Sequence, residues 1–315
     1  MSGESTTTSM NDIVYSAWIE ASFLDYAYDW VVAQQFFRRF SLIGKPSASL
    51  DVPVFDSNMG TVGDGGSGVD TEFNGTEGSD LSNTQATTSK VTVSVSEYAL
   101  MRTLTDHLGE DSIPGIDLMQ TVLADAARIL MTAVEDDSVG KFSGLSQSVG
   151  STGVDLTVAQ TLAAHVGIRK RGYRAPDGVV YVLDEQQVDD LEAALIGASS
   201  ATATYALGCD RLLGVDRTAN NGMGNGHVMN FRGYPVYSSG LTDTANTGAD
   251  VVGACFVPSS EANNPHATFG IVDKRPFRMR EQRDESLRGT ELVFSMRVGV
   301  GELRDGSGTA IITDA

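Results

Sequence analysis

The sequence predicts an α+β chain whose two ends share one domain while the middle forms another. Three observations carry that reading. From Leu292 to Val300 every second residue is apolar (Leu292, Phe294, Met296, Val298, Val300), the period of a long strand with one face on a core. A long strand so near the end of the chain must pair with something earlier. The residues Ile116, Met119, Leu123, Ala126, Ala127, Leu130 and Val134 form a single stripe at helical spacing. Between residues 155 and 258, helix and strand patterns alternate over a length common for one lobe.

Composition narrows the function. A chain of 315 residues, 41% hydrophobic, can bury a sizeable core. A net charge of −19 excludes a general nucleic-acid clamp, because phosphate binding needs a cationic surface. Such a chain can enclose nucleic acid without gripping it. No apolar run is long enough to span a bilayer. Met1–Ser9 is polar and lacks the basic and apolar regions of a secretory signal. Two cysteines, Cys209 and Cys255, cannot make a disulfide framework and read as reduced thiols of a cytoplasmic product.

Taken in order, residues 1–10 read as a tail, and Asn11–Phe40 as an aromatic-rich segment, partly helical through Ile13, Ala17, Glu20, Leu24, Ala27 and Val31. Its rings suit an arm packed on protein, including another subunit. Asp51–Phe55, interrupted by Pro53, and the alternating Val91, Val93 and Val95 read as the legs of a long β-hairpin. The tip is Gly-rich and acidic, with Asp64, Asp70, Glu72, Glu77 and Asp80. So polar a hairpin needs a neighbour to lie on. Ser112 can cap the long helix, with Pro114 in its first turn and Gly140 beyond its end at Val139. Residues 140–156 read as a Ser/Gly-rich connector. Thr157 can cap a short helix facing the core through Val158, Leu162 and Val166. Val179–Leu183 reads as a buried strand, and Asp184 as the cap of a helix with Val188, Leu191 and Leu195 on one face, closed by Gly197. Val228–Tyr237 and Val251–Val257 read as strands, the first an edge strand because it holds Pro235. A short strand around Ala310–Thr313 closes the chain.

No motif carries chemistry. Gly65–Asp70 matches one copy of a calcium β-roll repeat, which needs stacked copies; no Gly-Lys-Ser/Thr follows it to make a phosphate loop. His107, His165, His227 and His266 have no partner at ligand spacing. Cys209 with His227 would be a nucleophile–base pair only if they met, and Asp136–Asp137 and Asp189–Asp190 read as solvated acids. The sequence therefore predicts no enzyme, no metal and no cofactor. Lys274–Arg288 concentrates Arg275, Arg278, Arg280, Arg283 and Arg288 in an anionic protein. It is either a solvated strand face or a contact with acidic surface on a neighbouring copy.

The order of arm, long hairpin, long helix, α+β lobe and returning strand resembles the major capsid proteins of tailed bacteriophages, the Hong Kong 97 fold. Three stretches carry the resemblance: Phe231, Arg232, Gly233, Tyr234, Pro235, Val236, Tyr237 and Ser238; Val251–Pro258 followed by Phe269, Gly270, Ile271 and Val272; and Asp284–Glu291 with Val298–Leu303 and Ala310–Asp314. The resemblance implies an N-terminal arm at 1–50 and an extended E-loop at 51–110. It implies a peripheral domain with a long spine helix at 111–154 and 259–315, and an axial domain at 155–258 with Thr218–Gly226 as a loop near the capsomer centre.

On that basis the chain is expected to be a virion protein, assembled in the host cytoplasm. It would form hexamers and pentamers of an icosahedral head enclosing double-stranded DNA without sequence-specific binding and without a membrane. Separate scaffolding and portal proteins are expected, with decoration proteins an open addition, because the arm begins almost at once. Lys90, the only lysine of the E-loop, lies in a strand far from the tip, so no covalent cross-link between subunits is expected. The acidic tip is expected to lie over a neighbour near Arg275–Arg288. The rival readings are an encapsulin-like shell for protein cargo, a monomeric β-rich calcium-dependent adhesin, and a hydrolase using Cys209 or a carboxylate pair.

Overall fold

A computed structural model describes residues 31–56, 87–106, 118–171, 178–197, 226–259, 267–286 and 288–315. The segment 1–30, the hairpin tip with Asp64, Asp70, Glu72, Glu77 and Asp80, the residues His107, Ser112, Pro114, Cys209 and His266, and residues 218–225 lie outside the described residues.

A 3-10 turn at Gln34–Phe36 leads into β1 (Arg38–Ser41). β2 (Ser49–Asp56) and β3 (Thr87–Ser94) form an antiparallel ribbon, followed at once by β4 (Ser96–Thr105). The long helix α1 (Leu118–Val139) runs into a 3-10 segment, Gly140–Gly144, and the short β5 (Ser148–Gly150). Next come α2 (Val158–Lys170), β6 (Val180–Leu183), α3 (Glu185–Gly197), β7 (His227–Phe231), β8 (Tyr234–Ser238), β9 (Asp243–Ala245) and β10 (Asp250–Phe256). Three strands, β11 (Phe269–Asp284), β12 (Gly289–Glu302) and β13 (Gly308–Asp314), complete the chain.

The period-two run is β12, and it pairs antiparallel with both β11 and β4. With β1 parallel to β11, these make a four-stranded sheet in the order β1-β11-β12-β4, so early and late segments of the chain share one sheet. Pro276 lies in an interior strand, but at an irregularity between Arg275 and Arg278, where the ladder is already interrupted. The second sheet runs β5-β13-β10-β6-β8-β7, with β9 also on β10. The closing strand β13 thus belongs to the sheet of the middle segment.

Alternation sorts the side chains of this second sheet into two cores. Val180, Val182, Tyr237, Val252, Ala254, Phe256 and Ala310 join Leu123, Ala126, Leu130 and Val134 of α1 and Leu292, Phe294 and Val298 of β12 in one cluster. Tyr181, Leu183, Val236, Cys255 and Ile311 point the other way, onto α2 and α3. Helix α1 therefore packs against both sheets. Phe294, fully buried with its ring stacked 5.9 Å from Phe277, sits at the centre of the joint core.

Four details differ from the sequence expectation. Helix α2 buries Thr161, Ala164, His165 and Ile168, while Val166 is 41% exposed. Thr161 can be buried because its hydroxyl donates to Thr157 O at 3.2 Å, and Ala164 lets the helix approach the sheet. The capping by Thr157 is as expected: its hydroxyl accepts from Gln160 N at 3.4 Å, and its own N–H donates to Gln160 Oε1 at 2.9 Å. Val228–Tyr237 is two strands, because Arg232 (φ 52°) and Gly233 (φ 85°) form a tight hairpin turn that needs positive φ at both positions. Pro235 lies in β8, an interior strand, just outside the β6 ladder that starts at Tyr181↔Val236, so its missing N–H breaks no β6–β8 bond. The connector 140–156 contains β5, which pairs parallel with Ala310–Ile312.

Candidate assembly surfaces

The four-stranded sheet has an outward face, opposite α1. Leu292, Phe294 and Met296 point to the helix, so Val293, Ser295 and Arg297 point away. Register then sets Arg280, Val293 and Met101 in one row across the strands, and Arg278, Ser295 and Ala99 in the next. Met101 is 54% exposed, and both arginines are exposed. Among the described residues neither Arg278 nor Arg280 forms an ion pair.

Arg275 and Arg283 are engaged within the chain. Arg275 pairs with Glu97 across the sheet and donates to Ser295 Oγ at 3.1 Å. Arg283 grips Asp106 with both terminal nitrogens, at 2.6 and 2.7 Å, and reaches Glu285 at 3.4 Å. Arg288 (φ 46°) is exposed in the β11–β12 turn, and its carbonyl accepts from the Asp106 amide at 2.9 Å. On β11 the exposed arginines without an ion pair among the described residues are Arg278 and Arg280, with Arg288 exposed at the turn beyond them. The acidic residues of the hairpin tip lie outside the described residues.

The base of the β2–β3 ribbon rests on the end of β12. Val52 and Val93 cluster with Leu42, Val272 and Leu303. Glycines make the seat: a Cβ at Gly299 would lie 2.4 Å from Ser94 O, and one at Gly301 2.7 Å from a Val93 methyl. Across the ribbon, Lys90 Nζ donates to Asp51 at 2.8 Å, beside Thr92 Oγ1 at 2.6 Å. The Lys90 contact first, then Thr92, holds the Asp51 carboxyl below its usual range. The one lysine of the expected E-loop is thus occupied in pinning the two hairpin legs together.

A third surface is internal. Residues 32–37 enter a cleft between α1 and the second sheet. The fully buried Glu135 of α1 accepts backbone N–H bonds from Val32 at 3.0 Å, Ala33 at 2.5 Å and Gln34 at 3.4 Å. Phe36 packs at 4.6 Å from Tyr237, and Phe37 stacks at 5.0 Å on Phe269. Nothing in the sequence patterns above singles out Glu135. The available signal is its place in the series Ala127, Met131, Glu135, Val139, four residues apart on the buried side of the helix.

Several described groups of the types that carry chemistry are tied into the fold. Cys255 is buried in β10, and burial pushes its thiol well above the ordinary range. His165 lies edge-on to Tyr234 at 4.5 Å, with burial lowering its imidazole, and His227 contacts Asn230 at 3.3 Å. Asp137 accepts from the Tyr98 hydroxyl, and Asp190 from the Leu156 amide at 3.4 Å. Among the described residues no group of three or more His, Cys, Asp or Glu is arranged to hold a metal. No described helix is long and apolar enough to cross a membrane.

No protein-family model matches the sequence, and no curated protein sequence matches it. Solved structures do match along nearly the whole chain. The capsid of a native GTA particle aligns with TM-score 0.61 and 14% identity, covering 92% of this chain and 91% of that one. The capsid of Cyanophage P-SCSP1u aligns with TM-score 0.60 and 11% identity, covering 90% and 88%. The holo-SrpI encapsulin complex from Synechococcus elongatus aligns with TM-score 0.57 and 9% identity, covering 89% and 86%. These likenesses define a class by fold, the architecture these shell subunits have in common. More narrowly, the chain has the Hong Kong 97-like capsid fold.

Proposed function

We propose that this chain is the major capsid protein of a tailed phage, a structural and non-catalytic subunit that builds hexamers and pentamers of a head enclosing double-stranded DNA. One observation carries the reading: capsid subunits of phage and GTA particles match it over about nine-tenths of both chains. A local resemblance could be a borrowed domain; one over about nine-tenths of both chains takes in most of the architecture. Head-to-tail contacts between such copies close into rings, and many modest contacts add up to a stable shell.

In this reading residues 1–50 are the arm, 51–110 the E-loop, 111–154 and 259–315 the peripheral domain with α1 as its spine, and 155–258 the axial domain, with β5 and β13 of the flanking segments lending strands to the axial sheet. The acidic tip (Asp64, Asp70, Glu72, Glu77, Asp80) lies over a neighbouring copy and meets the basic stretch from Arg275 to Arg288. Within that stretch Arg278 and Arg280 make the contact, since Arg275 and Arg283 are taken by Glu97 and Asp106. The chain's net charge of −19 suits a wall that does not hold DNA. Assembly takes place in the host cytoplasm, with separate scaffolding and portal proteins.

Sedimentation and electron microscopy of the purified chain test this. Closed particles are expected; single 33.4 kDa copies at all concentrations and salts would overturn it. The likeness to an encapsulin complex gives the second outcome a meaning: shells filled with protein rather than DNA in the native source would move the reading to a cargo compartment.

A further inference from the structure

Glu135 is an anomaly in a helix whose other buried residues are mostly apolar. Its side chain is 0% exposed, and a buried carboxylate without a cation is costly unless its oxygens are satisfied by donors. Here the donors are three successive backbone amides, those of Val32, Ala33 and Gln34, about a hundred residues away in sequence. Burial raises the carboxyl, while the three amides pull it back toward the anion.

The same short segment is held on its other sides by packing and by one backbone hydrogen bond from Ser259. A Cβ on Gly226 would come within 2.9 Å of Val32, so the valine is seated against bare backbone. Phe36 lies near Tyr237 and Phe256 at 4.6 and 6.4 Å, and its carbonyl accepts from Ser259 N at 2.8 Å. Phe37 follows into the ring cluster with Phe256 and Phe269, and β1 begins directly after it. Rings in a cleft can slide; three directed bonds to one carboxylate cannot, because each bond weakens steeply once it leaves its line. With three of the directed bonds, against the single one from Ser259, the carboxylate does most to fix the register of the segment along the cleft.

We infer that Glu135 is the docking post of the base of the N-terminal arm: it fixes residues 32–37 in their cleft, and assembly with a second copy depends on that fixed base. Glu135 is a positioning residue for assembly. The assembly half of this inference rests on the shell reading; the docking half does not.

The test uses the full chain with Glu135→Leu, which keeps apolar volume and removes both acceptors, and Glu135→Gln, which keeps one acceptor oxygen for Val32 and Ala33. Hydrogen exchange is read in the segment 32–37 and, as an internal reference, in β10 and β12. Glu135→Leu is expected to speed exchange at 32–34 by at least about tenfold, with the reference strands unchanged, and Glu135→Gln to restore most of the protection. Closed particles should be lost in the Leu variant and return in the Gln variant. Unchanged exchange at 32–34 in Glu135→Leu would overturn the docking post. Freed amides with normal particles would overturn its part in assembly. Should the Leu variant not fold, Glu135→Asp withdraws the carboxylate by one carbon and is read the same way. If the unaltered chain forms no particles, the shell reading fails while the exchange result still decides the post.

Discussion

Reversing both Arg278 and Arg280 to Glu separates assembly from folding. The two side chains are exposed, two residues apart on the outward face of β11, and make no ion pair among the described residues. Their replacement should leave the stability of a single copy within about 0.5 kcal/mol, as for other surface positions without buried partners. At a contact with an acidic segment the sum is different. Each exposed pair contributes about 0.2–1 kcal/mol, and turning two attractions into two repulsions costs about 1–3 kcal/mol per contact. Every 1.4 kcal/mol is roughly a factor of ten in association, and a shell repeats the contact in every copy. Arg283 is best left alone: its removal would break two bonds to Asp106 and confuse a folding defect with an assembly defect. The assay compares thermal unfolding of single copies with particle yield by electron microscopy across salt. Unchanged unfolding with particle yield down at least about tenfold is expected, partly relieved at high salt where charges are screened. Normal particles at normal yield would refute the contact.

Gly299→Ala places a methyl 2.4 Å from the Ser94 carbonyl and should destabilise by about 1–3 kcal/mol, whereas Gly140→Ala, with nothing within 4 Å, should be near neutral. Equal melting temperatures for the two variants would remove Gly299 as the seat of the ribbon. Glu302 lies beside Asp305, and burial first, then that neighbour, raises its carboxyl from 4.5 to about 7. The folded state therefore holds the proton more tightly than the unfolded chain; the stabilisation is complete below pH 4.5 and is lost as pH rises through about 7. Glu302→Gln should flatten the fall in melting temperature over that window. With solvent screening the gain at pH 8 is about 1 kcal/mol, roughly 2 °C. A slope identical to that of the unaltered chain would show that Glu302 is not the titrating group.

Long, strongly periodic elements are legible in the amino-acid pattern alone. The alternation at Leu292–Val300 marks β12, and the stripe from Leu123 to Val134 marks α1, because each pattern repeats often enough to allow one period only. Short or exceptional elements are not. β5 has three residues and no pattern of its own; it exists because β13 offers an edge. The buried face of α2 hides behind Thr161 and His165, polar types that pattern reading sends to solvent: Thr161 is satisfied by the carbonyl one turn back, and His165 is packed by Tyr234 far along the chain. Pro235 goes against the general preference for edges, and the interior of the sheet accepts it only because the β6 ladder starts one residue later. The basic stretch is visible as charge, but its division into paired Arg275 and Arg283 and unpaired Arg278 and Arg280 depends on Glu97 and Asp106, which lie more than a hundred residues earlier. Glu135 is masked by the acids Asp136 and Asp137 beside it, so that a buried acceptor looks like part of a solvated run.

Cryo-electron microscopy of the purified assembly addresses the central claim directly, because it reports where each copy's hairpin goes. The expected map has five- and six-membered rings in a closed shell. In it residues 57–86 of one copy cross onto the outward face of the next, beside Arg278 and Arg280. Isolated compact copies, or a hairpin turned back onto the strands of its own chain, would contradict it.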